Sequence, residues 1–195
     1  MQEKKGKYIV IDTEATGLMV GINGLCEIAA AALDDRLEIL ETVCFDVNPG
    51  NKKLNPESLK INGFTKERIE SGVSYNDSCI KLYDFTQRHF DDTPTYIAQF
   101  FPFDYSFLTD MYIVNGMQKE CEFMFKNKFL DTKSIANFVN LKAQLNGLPL
   151  PFPQTTSLSS PGGLKDIFGI NNYDSHTALG DVLATREALI HLLAL

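Results

Sequence analysis

The chain has 195 residues, enough for one ordinary domain to bury a core without disulfides or a structural metal, and it is read as a single domain over residues 1–195. A hydrophobic fraction of 44% against 22% charged residues argues against extended disorder. The net charge of −7 argues against a protein that coats nucleic acid through a broad basic face, but not against a nuclease, because divalent cations held by acidic groups reverse the local field.

In chain order, residues 7–12 (KYIVID) form a short apolar, β-branched run that suits a central strand. Residues 26–34 (CEIAAAALD) and 37–47 (LEILETVCFDV) continue as a hairpin of two further strands across Asp35-Arg36, although the alanine run also permits a helix. Pro56-Glu-Ser-Leu and Thr65-Lys-Glu-Arg-Ile each resemble a short helix start with an acidic first turn. Residues 76–89 predict an amphipathic helix with Asn76 as its cap and Cys79, Leu82, Tyr83 and Phe85 on its apolar face. A brief buried strand over 95–98 precedes a helix from Asp104 to Val114 through Phe107, Leu108, Met111 and Tyr112.

Residues 132–145 predict another amphipathic helix, with Ile135, Phe138, Val139 and Leu141 inward. Residues 146–163 hold four of the eight prolines and read as an internal loop, because the roughly 30 residues beyond it are too few to fold alone. A last helix covers 176–194, and the aggregate is an α/β fold. Cys26, Cys44, Cys79 and Cys121 show no metal-site spacing and read as buried thiols. Residues 1–7 lead into no apolar signal core and no apolar run approaches membrane-spanning length, so a cytoplasmic setting and no membrane partner are expected.

The chemistry lies in the acids. Asp12 and Glu14 stand two positions apart at the end of a strand, where period-two alternation turns both carboxylates to one side. Such a like-charged pair is unfavourable unless a proton or a cation lies between its members. If the strand ends earlier, both are ordinary solvated loop acids. Asp104 follows the aromatic run Phe100-Phe-Pro-Phe103 and reads equally as a helix N-terminal acid. Asp181 lies one turn into the apolar last helix, an unusual place for an incidental surface carboxylate. His176 precedes it by five positions, about 140° round a continuous helix, so the two converge only if His176 sits in the loop or first turn, with Asp174-Ser175 as capping residues. His89 and His191 read as structural or exposed.

Three ordered segments, IVIDTEATGL (9–18), FDYSFL (103–108) and HTALGD (176–181), resemble the DnaQ-like exonucleases of the DEDDh type. That family includes the epsilon subunit of bacterial DNA polymerase III, RNase T and oligoribonuclease. Ile61-Asn-Gly-Phe-Thr65 and Phe129-Leu-Asp-Thr132 look like its accessory segments. The resemblance implies a ribonuclease H-like mixed β-sheet flanked by helices. It also implies a metal-dependent 3′→5′ exonuclease that releases nucleoside monophosphates from the 3′ end of DNA or RNA. On this analogy Asp12, Glu14 and Asp181 ligate one Mg²⁺ or Mn²⁺, Asp12 bridges to a second, and Asp104 supports that second ion through water. His176 acts as general base.

Thr13, Thr16, Gly17 and Leu18 match the segment lining the terminal nucleotide, with Asn62 and Phe103 as further substrate contacts; for Phe103, core packing is an equal alternative. The implied partners are a single strand with a free 3′ end and a polymerase or other protein complex. Relatives commonly carry His-Asn shortly before the second-motif acid, where this chain has Gln99-Phe100. Phe100 and Phe101 are therefore candidates for stacking on bases. Lys52-Lys53 with Lys60, and Lys126 with Lys128, are small basic clusters that either steer a strand or are simply solvated. The competing reading is a catalytically silent nucleic-acid- or polymerase-binding module of the same fold.

Overall fold

The computed structural model describes residues 5–126, 128–174 and 176–195. β1 (Tyr8–Ala15), β2 (Leu25–Leu33) and β3 (Ile39–Asn48) form an antiparallel meander. Then follow α1 (Pro56–Asn62), α2 (Lys66–Glu70), β4 (Val73–Ser74), α3 (Tyr75–His89), β5 (Thr95–Ala98) and α4 (Phe101–Val114). The chain ends through α5 (Gln118–Met124), β6 (Phe129–Asp131), α6 (Thr132–Leu145), α7 (Leu164–Phe168) and α8 (Ala178–Leu193). Among the described residues the strands make one sheet in the order β4-β3-β2-β1-β5-β6, with β5 parallel to β1, β6 parallel to β5 and β4 parallel to β3. The sheet is mixed, as expected.

The alanine run resolves as strand because it is paired on both sides, by β1 and by β3, and every residue of β2 is buried. A strand covered on both faces reads as a continuous apolar run rather than an alternation. Its small side chains also let helices sit close. On one face Ile9 and Ile11 join Ile28, Leu82, Phe85, Phe107, Leu108, Met111 and Tyr112, beneath α3 and α4. On the other, Val10, Ala29, Ala31 and Leu33 meet Ala178, Val182 and Leu189 of α8. Behind α8, Phe152 and Leu158 from the proline-rich loop pack with Leu164, Ile170, Ala184 and Ala188.

Several expectations need correction. The strand expected over residues 7–12 spans Tyr8–Ala15, so Asp12 and Glu14 both lie on it, as their period-two spacing requires, and the loop alternative falls. The cap of α3 is Ser74, whose side chain accepts from the Asp77 N–H, and not Asn76. α4 begins at Phe101, so the aromatic run forms its first turn and Asp104 lies within the helix. On α6 the inward positions are Thr132, Ala136 and Ala143 with Ile135 and Val139 partly covered, while Phe138 and Leu141 are exposed. Cys44 is exposed, unlike the three other thiols, because it alternates outward on β3. Lys52 is committed to Asp110 at 2.7 Å and to the Gly21 carbonyl at 3.2 Å, which leaves it ill placed to steer a strand.

α8 starts at Ala178 with Thr177 as its cap, donating no turn to His176, which lies just outside the helix. Of the two residues expected to cap it, Asp174 instead offers its carbonyl to Thr177 Oγ1, and Ser175 lies outside the described residues. Residues 1–4 of the N-terminal stretch also lie outside them. Among the described residues no helix is long and apolar enough to cross a membrane.

Candidate active site

The site is built where the C-terminal end of β1 meets the N-terminus of α8 and the first turn of α4. Asp12 and Glu14 share the sheet face of Val10, which α8 covers, and Asp181 descends from the first turn of α8 onto the same face. Carboxylate oxygens of Asp12, Glu14 and Asp181 all lie within 4.8 Å of one another. A register shift in the β1–β2 ladder falls between Glu14 and Ala15, the kind of local irregularity that re-aims side chains beside functional sites.

Asp104 is not in that group of three. It is buried, and Thr13, on the opposite face of β1, donates its Oγ1–H to Asp104 Oδ1 at 2.7 Å. Its charge nonetheless reaches Asp12. Burial, followed by Asp104, Asp181, Glu14 and Glu27, holds the Asp12 carboxyl well above the usual range. Glu14 is pushed up to about 7, by burial first and then by Asp181 and Glu27, with the Asn62 side chain opposing. Burial also lifts Asp104 to about 7 against the Thr13 bond. For Asp181 burial outweighs the His176 N–H, the Lys165 charge and the Ser159 hydroxyl, so it too is raised. A set of desolvated carboxylates that resist losing their protons individually is what a divalent cation, with its preference for several oxygen donors, would relieve.

His176 is exposed and takes the left-handed conformation, φ 62°, uncommon for a residue with a β-carbon although histidine is among those that tolerate it. Its backbone N–H donates to Asp181 Oδ2 at 3.2 Å, which ties the imidazole-bearing residue to the carboxylate cluster. Asp181 Oδ1 accepts from Ser159 at 3.3 Å, and Lys165, itself buried, donates to the Tyr173 carbonyl at 3.2 Å. The turn is tight: a β-carbon on Gly180 would lie 2.0 Å from the Asp174 carbonyl oxygen, which explains the glycine of HTALGD.

Beside Glu14 opens a cleft of about 130 Å³ lined by Ala15, Gly17, Leu18, Ser58, Ile61, Asn62 and Phe103. Four expected substrate contacts, Gly17, Leu18, Asn62 and Phe103, are thus brought together, with Leu18 78% exposed at the rim. Thr13 and Thr16 are placed differently. Thr13 serves Asp104, and Thr16 Oγ1 donates to the Lys53 carbonyl while accepting the Gly24 N–H, so both side chains are engaged within the protein. Ser58 was not expected from sequence, and Ile61, 66% exposed beside Asn62 on a short helix, was read only as part of an accessory segment and not as a substrate contact.

The pair replacing His-Asn has two distinct fates. Gln99 is structural, donating to the Thr156 carbonyl at 2.8 Å and accepting from Thr132 Oγ1 at 2.6 Å. Phe100 is 48% exposed, left-handed at φ 67°, and lies under the Lys133 ammonium at 4.4 Å. Phe101 is buried against Tyr96, so it is not available to stack on a base.

The exonuclease family model RNase_T matches residues 9–189, a span that includes Asp12, Glu14, Asp104, His176 and Asp181. This chain belongs to that exonuclease family. Among curated proteins, this exonuclease-family chain is 25% identical over 204 residues to a DNA polymerase III PolC-type protein of Pediococcus pentosaceus, covering 96% of itself and 13% of that protein. It is 28% identical over 189 residues to a DNA polymerase III subunit epsilon-like protein of Rhodobacter capsulatus, covering 95% of itself and 23% of the relative. Exonuclease I of E. coli in complex with a dA16 oligonucleotide superposes with a TM-score of 0.73 at 17% identity, over 95% of this chain and 40% of that one. Exonuclease I from Methylocaldum szegediense gives 0.74 at 19% identity, again over 95% and 40%. The chain therefore spans less than a quarter of these curated relatives and about two fifths of these solved chains. The fold is that of a ribonuclease H-like exonuclease, a mixed sheet flanked by helices, as the sequence resemblance implies.

Proposed function

We propose that this chain is a metal-dependent 3′→5′ exonuclease that removes nucleoside monophosphates from a strand with a free 3′ end. The observation that carries this is the approach of Asp12, Glu14 and Asp181 to within 4.8 Å of one another inside an exonuclease-family fold. All donors are carboxylate oxygens, a set suited to Mg²⁺ or Mn²⁺ and poorly suited to softer metals. When bound, two such ions supply an activated water and offset charge on the departing 3′-oxygen.

The protein's own groups then divide the work. Asp12, Glu14 and Asp181 would hold one ion, and Asp12 and Asp104, the latter with its carboxylate fixed by Thr13, would serve a second. His176 takes the proton of the attacking water, held near by the bond from its N–H to Asp181. The terminal nucleotide enters the cleft beside Glu14, where Leu18 and Phe103 offer apolar surface and Asn62 an amide. Thr16 and Gly17 shape that wall from within: Thr16 by its two loop hydrogen bonds, Gly17 by allowing close approach of Asn23. A single DNA strand is the favoured substrate, as the oligonucleotide bound to E. coli Exonuclease I suggests, and the polymerase relatives favour work within a polymerase complex. The three buried free thiols fit a reducing, cytoplasmic setting.

The test uses 5′-labelled single strands of matched DNA and RNA with Mn²⁺, alongside a circular and a 3′-blocked strand. Progressive shortening from the 3′ end with release of mononucleotides is expected on the open strands alone. Full-length strands after prolonged incubation would point to a silent binding module, and cutting of the circle to an endonuclease.

Phe100 extends the reading to substrate affinity. An exposed ring with an ammonium above it offers a base-stacking face and a phosphate contact in one place. Phe100→Ala should weaken binding of a single strand by about 5- to 100-fold, the equivalent of roughly 1–3 kcal/mol for one stacked base. Fluorescence anisotropy in Ca²⁺ reads this; Phe101→Leu is the packing control. An unchanged affinity in Phe100→Ala would remove Phe100 from the substrate path.

A further inference from the structure

Glu27 belongs to none of the three segments that carry the family likeness, yet it stands inside the site. It lies in the all-buried strand LCEIAAAAL, is 5% exposed, and sits directly opposite Glu14 in the β1–β2 ladder. Its Oε2 accepts the backbone N–H of Ala178 at 2.7 Å, a contact between residues 151 positions apart. Its Oε1 accepts from Arg68 Nη2 at 2.9 Å. Arg68 in turn grips both Asp46 oxygens at 2.7 Å each and lies over the Phe64 ring at 3.7 Å.

The first N–H groups of a helix have no partner within it, and a buried one left unpaired is costly. In α8 the Gly180 N–H is taken by Thr177 and the Ala178 N–H by Glu27. A carboxylate there also gains from the helix dipole. Against this stands a penalty, because Glu27 adds negative charge to the neighbourhood of both Asp12 and Glu14. An acid beside a carboxylate cluster raises the energy of that cluster, so its presence calls for a compensating role. The contact supplies one: Ala178 is two residues after His176 and three before Asp181, and Glu27 stands opposite Glu14 on β2, the strand paired with the one that carries Asp12 and Glu14.

We infer that Glu27, braced by Arg68, is a positioning residue that locks the start of α8 to β2 and thereby sets His176 and Asp181 against the β1 carboxylates. This rests on the exonuclease reading for its kinetic consequences but not for its structural one. Glu27→Gln keeps an oxygen for the Ala178 N–H and lowers the local charge; Glu27→Ala removes the tie altogether.

The experiment combines hydrogen exchange on peptides covering residues 174–181 with steady-state nucleotide release, in wild type, Glu27→Gln, Glu27→Ala, His176→Ala and the Glu27→Ala/His176→Ala double variant. Glu27→Ala should speed exchange at 174–181 and lower kcat about 10- to 100-fold with KM little changed, as expected when reacting groups are displaced by about 1 Å. Glu27→Gln should restore both to within about 3-fold, and the losses in the double variant should multiply incompletely, because part of the effect of Glu27 passes through His176. Unaltered exchange in Glu27→Ala, or a Gln variant as impaired as the Ala one, would overturn the inference. Losses that multiply fully in the double variant would assign Glu27 to stability alone. If wild type itself releases no nucleotide, the functional reading fails, while the exchange measurement still decides whether Glu27 holds α8.

Discussion

Asp12→Asn should abolish metal-dependent nucleotide release while leaving a folded protein that, without metal, melts higher than wild type. Burial, together with Asp104, Asp181, Glu14 and Glu27, opposes ionisation of the Asp12 carboxyl. Replacing it with a neutral amide of the same shape removes a desolvated charge from a group of like charges. In metal-free buffer near pH 8 that relief should amount to roughly 1–3 kcal/mol. At about 2–4 °C per kcal/mol for a chain of this size, the melting temperature rises by several degrees. The activity moves the other way. Loss of an ion-holding oxygen forfeits several kcal/mol of transition-state stabilisation, a fall on the order of 10³-fold or more. This opposition separates a functional acid from a structural one, since removing a structural carboxylate would lower both stability and activity.

The second large effect is the pH dependence of stability without metal. Glu14 and Asp104 are each held at about 7, against ordinary values of 4.5 and 3.8. Between those limits the folded protein retains protons that the unfolded chain has released. Stability therefore falls as pH rises, from its full value below about pH 4 to its loss as pH passes about 7. The expected decline from this cluster is on the order of 3 kcal/mol, less than the sum for independent groups because the carboxylates titrate together. Saturating Mn²⁺ should flatten the curve, since a bound cation takes the place of the protons and stabilises the folded state by mass action. Melting curves from pH 4.5 to 8.5, with EDTA and with Mn²⁺, read both slopes. A metal-free melting temperature that climbs across this range would contradict the electrostatics of the cluster.

The legibility of this fold varied with the physical signal each element carries. The period of α3 and the apolar positions of α4 appear directly in the residue string because each helix buries one regular face. β2 was ambiguous, since alanines favour a helix by intrinsic preference. Pairing on both sides decided for strand, and such pairing is a long-range property. The short elements β4, α5, β6 and α7 escaped because two to seven residues carry too little periodicity to register. Phe138 and Leu141 misled: they fit a helical stripe, but the actual inward face of α6 is made of small residues that allow close packing.

Asp12 and Glu14 were legible from their period-two spacing, Asp104 only through the family resemblance, and Asp181 as a carboxylate where apolar neighbours predict burial. That rule, applied evenly, would also have found Glu27 in LCEIAAAAL. Arg68, Ser159 and Lys165 left no such trace, because a polar residue in a polar segment looks the same whether or not it folds back onto a site. The exposed placement of His176 just ahead of α8 agrees with the requirement set by its spacing from Asp181, and its positive φ was invisible in the letters.

The central claim is that the carboxylates gathered on the α8 face of β1 hold divalent cations, and Mn²⁺ titration of the purified chain followed by electron paramagnetic resonance tests it most directly. Near pH 8 wild type should bind Mn²⁺ in a manner displaced by Mg²⁺, with affinity falling as pH drops through about 7, where Glu14 and Asp104 take up protons. Asp12→Asn should lose that binding. Free Mn²⁺ signal throughout the titration of wild type, or binding that Asp12→Asn leaves intact, would contradict the account.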